Sequence, residues 1–426
     1  MKKIFSPVFL LAALLPMILL NGCIKDTCRQ SYTYTMYVPV YKTNEEVRAN
    51  IKNQPGREME RPGKLFIKGH YIFLNEVDKG IHVIDNSDAA NPRNISFIEI
   101  PGNVDLAVKG NILYADMYTD LVTIDISDPE NVSLKKVLEG VFPFRYYHSS
   151  FALDSSKVIA EWVQSDTTIV QDCDNVSGIW GSRELLAFSN TPSSNTLFSN
   201  MSGAGASPYG MGGSMARFSV VHERLYTVSD QDLTVFNIQN TVEPVYSGKV
   251  NIGQRIETLY PFKNNLFVGS ASGMFIYDIS QADNPKLTGQ FGHVQSCDPV
   301  IADDEYAYVT LRSGTECQGF TNQLEVLKLN GLTNPSLVKI YTLTNPHGLS
   351  KDGNLLFICD GNDGLKVFNA ASPSNIYLLK RLTGLTTYDV IAWNNKAIVS
   401  ANDGLYQYDY SNVDDIRLLS KINYKR

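Results

Sequence analysis

The chain has 426 residues, with 37 basic against 44 acidic side chains and a formal net charge of −7. That balance leaves no basic stripe for phosphate backbones, so no nucleic acid is expected as a partner. Only 19% of the residues are charged, while 23 Tyr, 19 Phe and 30 Gly enrich strand and turn formers. The composition excludes a coiled coil, a disordered chain or a helical bundle. Six Cys are too few for a disulfide scaffold in a chain this long.

Residues 1–22 read as a secretory signal peptide. Lys2 and Lys3 supply a positive start, and Phe9 to Leu20 a short apolar run broken by Pro16, too short to span a bilayer. Leu20-Asn21-Gly22-Cys23 resembles the bacterial lipobox. The resemblance implies cleavage before Cys23, then acylation of its sulfur and its new amine, which together give a firm anchor. Lys25-Asp26 is similar to the tags that send some lipoproteins to the cell surface; the alternative is a plain polar tether. The expectation is a lipid-anchored, surface-exposed protein of a Gram-negative outer membrane, with residues 23–63 as the lipidated tether. Within it, Tyr32–Tyr41 alternates like a strand able to dock on or close the body, and 43–63 holds a helical turn or two.

Seven segments beyond the tether share one alternating strand: Ile81–Asp85, Leu121–Asp125, Leu233–Asn237, Met274–Asp278, Leu324–Lys328, Leu365–Asn369 and Leu405–Asp409. Their starts are 40, 112, 41, 50, 41 and 40 residues apart. Each unit reads as four strands with Gly, Asn, Asp and Pro turns between them, including the tips Asn362-Asp-Gly364 and Asn402-Asp-Gly404. Four strands per roughly 40 residues is the signature of an all-β β-propeller, here over 64–426. The cadence of Leu121 to Pro129 and Met274 to Pro285 resembles the LVIVD-repeat proteins, which implies a bacterial surface propeller of unassigned role.

The 112-residue gap sets the blade count. Ala152–Glu161 follows the strand-turn-strand course of Ala107–Asp116, and Leu185–Phe188 offers a further strand. Eight blades are therefore expected, with a divergent blade and a Gly-rich insertion at about 141–212. Seven blades plus an insertion is the alternative.

Chemistry is harder to read. Cys297 precedes one first strand and Cys317 follows its second, so an antiparallel hairpin brings them together as a disulfide closing a loop of roughly 20 residues. Cys359, in an apolar run, reads as a buried free thiol, and nothing fixes a partner for Cys28 or Cys173. No Cys-x-x-Cys marks a zinc site. First strands of a propeller begin at one mouth of its channel, and those starts carry Asp105, Glu257, Asp298, His347 and Asp389. Such a set would suit a sugar's hydroxyls or a hard cation such as Ca²⁺, or would cap backbone amides of the loops. Glu76, Asp116 and Glu161 fall late in second strands, where structural pairing is expected over an acid–base pair. The Gly203–Gly213 loop lacks the ending of a phosphate cradle and reads as an insert.

Three functions fit. The leading one is a surface lipoprotein whose propeller binds or scaffolds a protein or glycan. The second is a glycan- or ester-processing enzyme using the mouth carboxylates. The third is a fixed subunit of an envelope assembly.

Overall fold

The computed structural model describes residues 29–143, 156–172, 211–214, 216–253, 255–294, 299–314 and 319–425. The signal, Cys23, the Lys25-Asp26 tag, Cys28 and Cys173 lie outside them, as do Asp298, Cys297, Cys317 and Leu185–Phe188. The chain divides into two compact units. One is built on a two-stranded ribbon of Arg29–Thr43 with Lys157–Asp172. Thr35 Oγ1 donates to Asp166 across it at 2.8 Å.

Among the described residues the other unit holds seven sheets, each with four strands consecutive in the chain. We number them blades 1 to 7, over residues 62–99, 106–138, 218–251, 256–292, 300–342, 349–382 and 387–423. Their first strands are Pro62–Lys68, Leu106–Lys109, Phe218–Val221, Ile256–Phe262, Val300–Ala302, Leu349–Asp352 and Thr387–Trp393. These adjoin one another in chain order, and the last adjoins the first, so the blades close a ring around their first strands. Blade 1 is widened to six strands: Lys52–Pro55 pairs with its outer edge and Met211–Gly212 with its inner one.

The expected all-β propeller of four-stranded blades is present. Of the two counts, seven blades plus an insertion describes the ring; among the described residues the eighth sheet is the two-stranded ribbon. Lys157–Asp172 runs for 16 residues, more than twice a blade strand, and pairs with Arg29–Thr43 instead of a neighbouring hairpin. Glu161 sits exposed on it, so it is no counterpart of Asp116.

Local chemistry explains the repeat. The residue ending the third strand turns back on its own loop: Asp85, Asp125, Asn237, Asp278, Asn369 and Asp409 each accept the amide two residues on, at 2.8–3.0 Å. This Asx turn starts the loop to the fourth strand. In blade 5 the position is Lys328, and a 3₁₀ turn at Asn330–Leu332 takes over. At the hairpin before the third strand, a Cβ on Gly80 or Gly364 would lie 2.0 Å from the Ile98 or Leu382 carbonyl oxygen. Both have positive φ, which only glycine adopts without strain. Every blade also skips one residue of its fourth strand at the same place, a bulge opposite the middle of the third.

The third residue of the second strand fills the space between blades. It is Phe73, Tyr114, Tyr226, Phe267, Tyr308 and Phe357 in blades 1 to 6, all buried. Each such burial is worth roughly 1.5–3 kcal/mol. The Tyr114 and Tyr226 hydroxyls donate at 2.8 Å to Thr241 and Ala282 carbonyls in the next blade. In blade 7 the position is Ile398, and the missing ring comes from Tyr424, buried with Met59, Leu65, Leu74 and Ile398 at the junction with blade 1. There Met59 bridges to Tyr424 and accepts the Lys425 amide at 2.7 Å. Ser420 Oγ donates to the Ala89 carbonyl at 2.7 Å, and Gln407 Nε2 to Asn86 Oδ1 at 2.6 Å.

Candidate functional site

Four of the five expected mouth residues are described, and all are buried: Asp105, Glu257, His347 and Asp389. They stand at or just before the first strands of blades 2, 4, 6 and 7. They are interior groups of the ring, and Asp105 and Asp389 share their surroundings with Lys64. Lys64 and Arg217 stand at the matching places in blades 1 and 3, the cations among these strand starts. Their signal was the same strand-start position in the sequence.

Asp105 is spent on main chain. One oxygen accepts the Leu106 amide at 2.7 Å and the other the Arg217 amide at 2.6 Å, tying blade 2 to the start of blade 3. Lys64 Nζ lies 3.8 Å from the second oxygen. Asp116 caps the entry to the same strand, accepting the Val104 and Asp105 amides at 2.8 and 2.9 Å. Asp360 repeats this in blade 6 with the Thr344 and Asn345 amides. Glu76 accepts from His82 Nε2 at 2.7 Å inside blade 1, with Lys79 and Arg57 beside it. Burial, which raises a carboxylate, is outweighed there, chiefly by the His82 and Lys79 hydrogen bonds, and Glu76 falls to about 2.

Loss of water dominates the channel group. Burial pushes Lys64 down to about 8, with Asp105 opposing and Arg217 reinforcing the shift. It pushes Asp105 up to about 6 against the pull of Lys64. Asp389 is raised well above the usual carboxylate range, again by burial. The Val390 and Leu65 amides pull it back from nearby, yet neither of its oxygens has a partner in hydrogen-bond geometry. Asp389 is thus a wholly buried acid whose surroundings favour its protonated form.

His347 packs edge-on against Tyr388 at 5.4 Å, and burial takes its imidazole down to about 3, with Arg312 reinforcing. Between pH 5 and 7 it stays uncharged. Its ring-carbon NMR shifts are expected to stay flat from pH 7.5 to 4.5, whereas a titration near pH 6.5 would show the ring reaches water.

Across this cluster runs the end of the insertion. Met211 and Gly212 pair with Ile67 and Phe66, the Gly213 amide donates to Leu65 O at 3.1 Å, and Ser214 Oγ accepts the Leu349 amide of blade 6 at 3.4 Å. The chain then enters blade 3 at Arg217–Phe218. Where the Gly-rich loop reads as a mere insert, its last residues form a channel strand.

The donors do not fit a hard cation. Asp105 is committed to amides, Lys64 and Arg217 already supply positive charge, and no three metal-ligating side chains group together among the described residues. Cys359 is the buried free thiol expected. No helix among the described residues is long and apolar enough to cross a membrane.

Strand order and ring closure define a repeat β-propeller. Residues 102–138, which span blade 2, match the LVIVD repeat. No curated protein matches the chain. Among solved structures, the computationally designed Ika8 protein is similar at 11% identity, with 88% of this chain and 90% of that one covered and a TM-score of 0.49. KlHsv2 with its loop 6CD replaced by a Gly-Ser linker is similar at 10%, covering 85% and 99%, TM-score 0.47. A functionally unknown protein from Desulfotomaculum acetoxidans is similar at 12%, covering 84% and 95%, TM-score 0.46.

Proposed function

We propose that the protein is a lipid-anchored module of a Gram-negative outer membrane, exposed at the cell surface, whose propeller binds or scaffolds a protein or glycan. The carrying observation is where the ring spends its polar and apolar groups. The channel carboxylates are buried, and Asp105 is committed to main-chain amides of blades 2 and 3. The fourth strands instead present apolar side chains to solvent, as at Tyr377, Leu378 and Leu379 of blade 6, which are 52%, 46% and 37% exposed. A rim of that kind suits contact better than turnover.

The test is saturable binding of purified ring protein to a glycan array and to isolated envelope components. Loss of a bound component on replacing Tyr377, Leu378 and Leu379 together by serine is the expected result. Turnover of a bound glycan that disappears in Asp389→Asn would instead establish the second reading, an enzyme acting through the buried acid. Protease shaving of intact cells checks the location: a body that stays protected refutes surface exposure.

A further inference from the structure

The channel strand is an unusual tenant. Met211–Ser214 belongs to none of the seven four-strand repeats, yet it adds a strand to the inner edge of blade 1. Its hydrogen bonds run to main chain, through the ladder to Phe66 and Ile67, the Gly213 amide on Leu65 O and the Leu349 amide on Ser214 Oγ, while the Met211 side chain packs on the apolar cluster of Met59, Leu65 and Ile67. Recognition through backbone hydrogen bonds is how sheet edges take extended peptides, with side-chain pockets adding selectivity. The pocket here demands a small residue, since a Cβ at Gly212 would come within 3.2 Å of the Phe66 ring and 3.3 Å of Ala216 Cβ. Independently, Asp389 on the adjoining first strand of blade 7 is wholly buried, near the Leu65 amide of this edge, and neither of its oxygens has a partner in hydrogen-bond geometry. Buried acceptors in native proteins are nearly always satisfied. The edge is therefore complementary to an extended peptide, while its present occupant leaves one polar group unserved.

We propose that the inner edge of blade 1 is a strand-addition site for an extended partner peptide, with a small residue over Phe66 and a donor for Asp389, and that Met211–Ser214 fills it in cis as a built-in competitor. Tethering gives the resident strand a high effective concentration, so a free peptide competes poorly against the intact chain. Removing the resident opens the site. This deepens the binding-module reading by naming the ligand as polypeptide and rests on that reading.

The test uses the whole chain with Gly212→Pro or Gly212→Val, each of which crowds the strand against Phe66 and Ala216. The probe is a fluorescein-labelled peptide of residues 209–216, Tyr-Gly-Met-Gly-Gly-Ser-Met-Ala, followed by fluorescence polarisation. Saturable binding at least 10-fold tighter to the variants than to the unaltered chain is expected. No binding to a variant that keeps its strand circular dichroism and cooperative melting overturns the proposal. So does equal binding to variant and unaltered chain, which would place the peptide elsewhere. Should neither variant fold, hydrogen exchange on the unaltered chain decides: millimolar peptide speeds exchange at 211–214 if it displaces the strand, and unchanged exchange refutes the site. A rim partner captured while the peptide fails would sink this proposal alone.

Discussion

Replacing Asp105 by alanine is expected to cost about 3–5 kcal/mol of stability, the range for removing one partner of a buried charge pair. Three groups lose their counterpart at once: the Leu106 amide, the Arg217 amide and the Lys64 ammonium. The Arg217 amide fastens blade 2 to blade 3, so the damage falls on the ring rather than on one turn. Asparagine keeps an acceptor and removes the charge, which separates the two effects by pH. Asp105 has a folded pKa of about 6 against an ordinary 3.8, so the native state holds its extra proton between those values. Its contribution to stability therefore falls as pH rises through that window, by at most about 3 kcal/mol. His347, lowered to about 3, acts with the opposite sign, since the unfolded chain takes up its proton first. The comparison isolating Asp105 is thus between the two chains, not within one. Asp105→Asn should gain on the unaltered protein from pH 4 to 6.5 in urea unfolding, and a constant difference across that range would refute the buried-acid account.

The second large effect lies at the seam. Tyr424→Ala should cost about 3–5 kcal/mol, as for other large aromatics removed from a core. Tyr424 supplies the ring that Ile398 lacks, packs on Met59 and Leu65, and has its hydroxyl 3.3 Å from Ser400 Oγ. Tyr377→Ala, at a residue half exposed on the rim, is the control and should change stability by less than about 0.5 kcal/mol. Equal losses in the two variants would show that the seam carries no special share of the ring's stability.

The blades were legible because local chemistry repeats: alternation, glycine at the tight hairpin and an Asx residue closing the third strand. The third strand of blade 2, expected at Leu121–Asp125, runs Asp120–Asp125. Pairings between distant segments were not legible. The likeness of Ala152–Glu161 to a blade hairpin is real as a pattern, but Lys157–Asp172 takes its partner from over 100 residues away, and alternation says nothing of the partner. Asp105, Glu257, His347 and Asp389 do lie at or just before first strands of blades. What those positions could not convey was burial, or that Lys64 and Arg217 share the space, because charge compensation follows from closing the ring. The aromatic at the third place of the second strand, repeated six times, was visible all along and marks the blade interfaces.

No blade borrows a strand from the opposite end of the polypeptide: blade 7 is finished by Arg417–Asn423 and blade 1 by Arg93–Glu99. The four core strands of each blade are therefore contiguous in the chain, and only the inner strand Met211–Gly212 of blade 1 comes from far downstream. The contact of Met59 with Tyr424 joins segments 365 residues apart and must wait for the seventh blade to be made. A product truncated a few residues early would contain almost every sheet and still stand open like an unclasped bracelet, its seam exposed to proteases and to other copies.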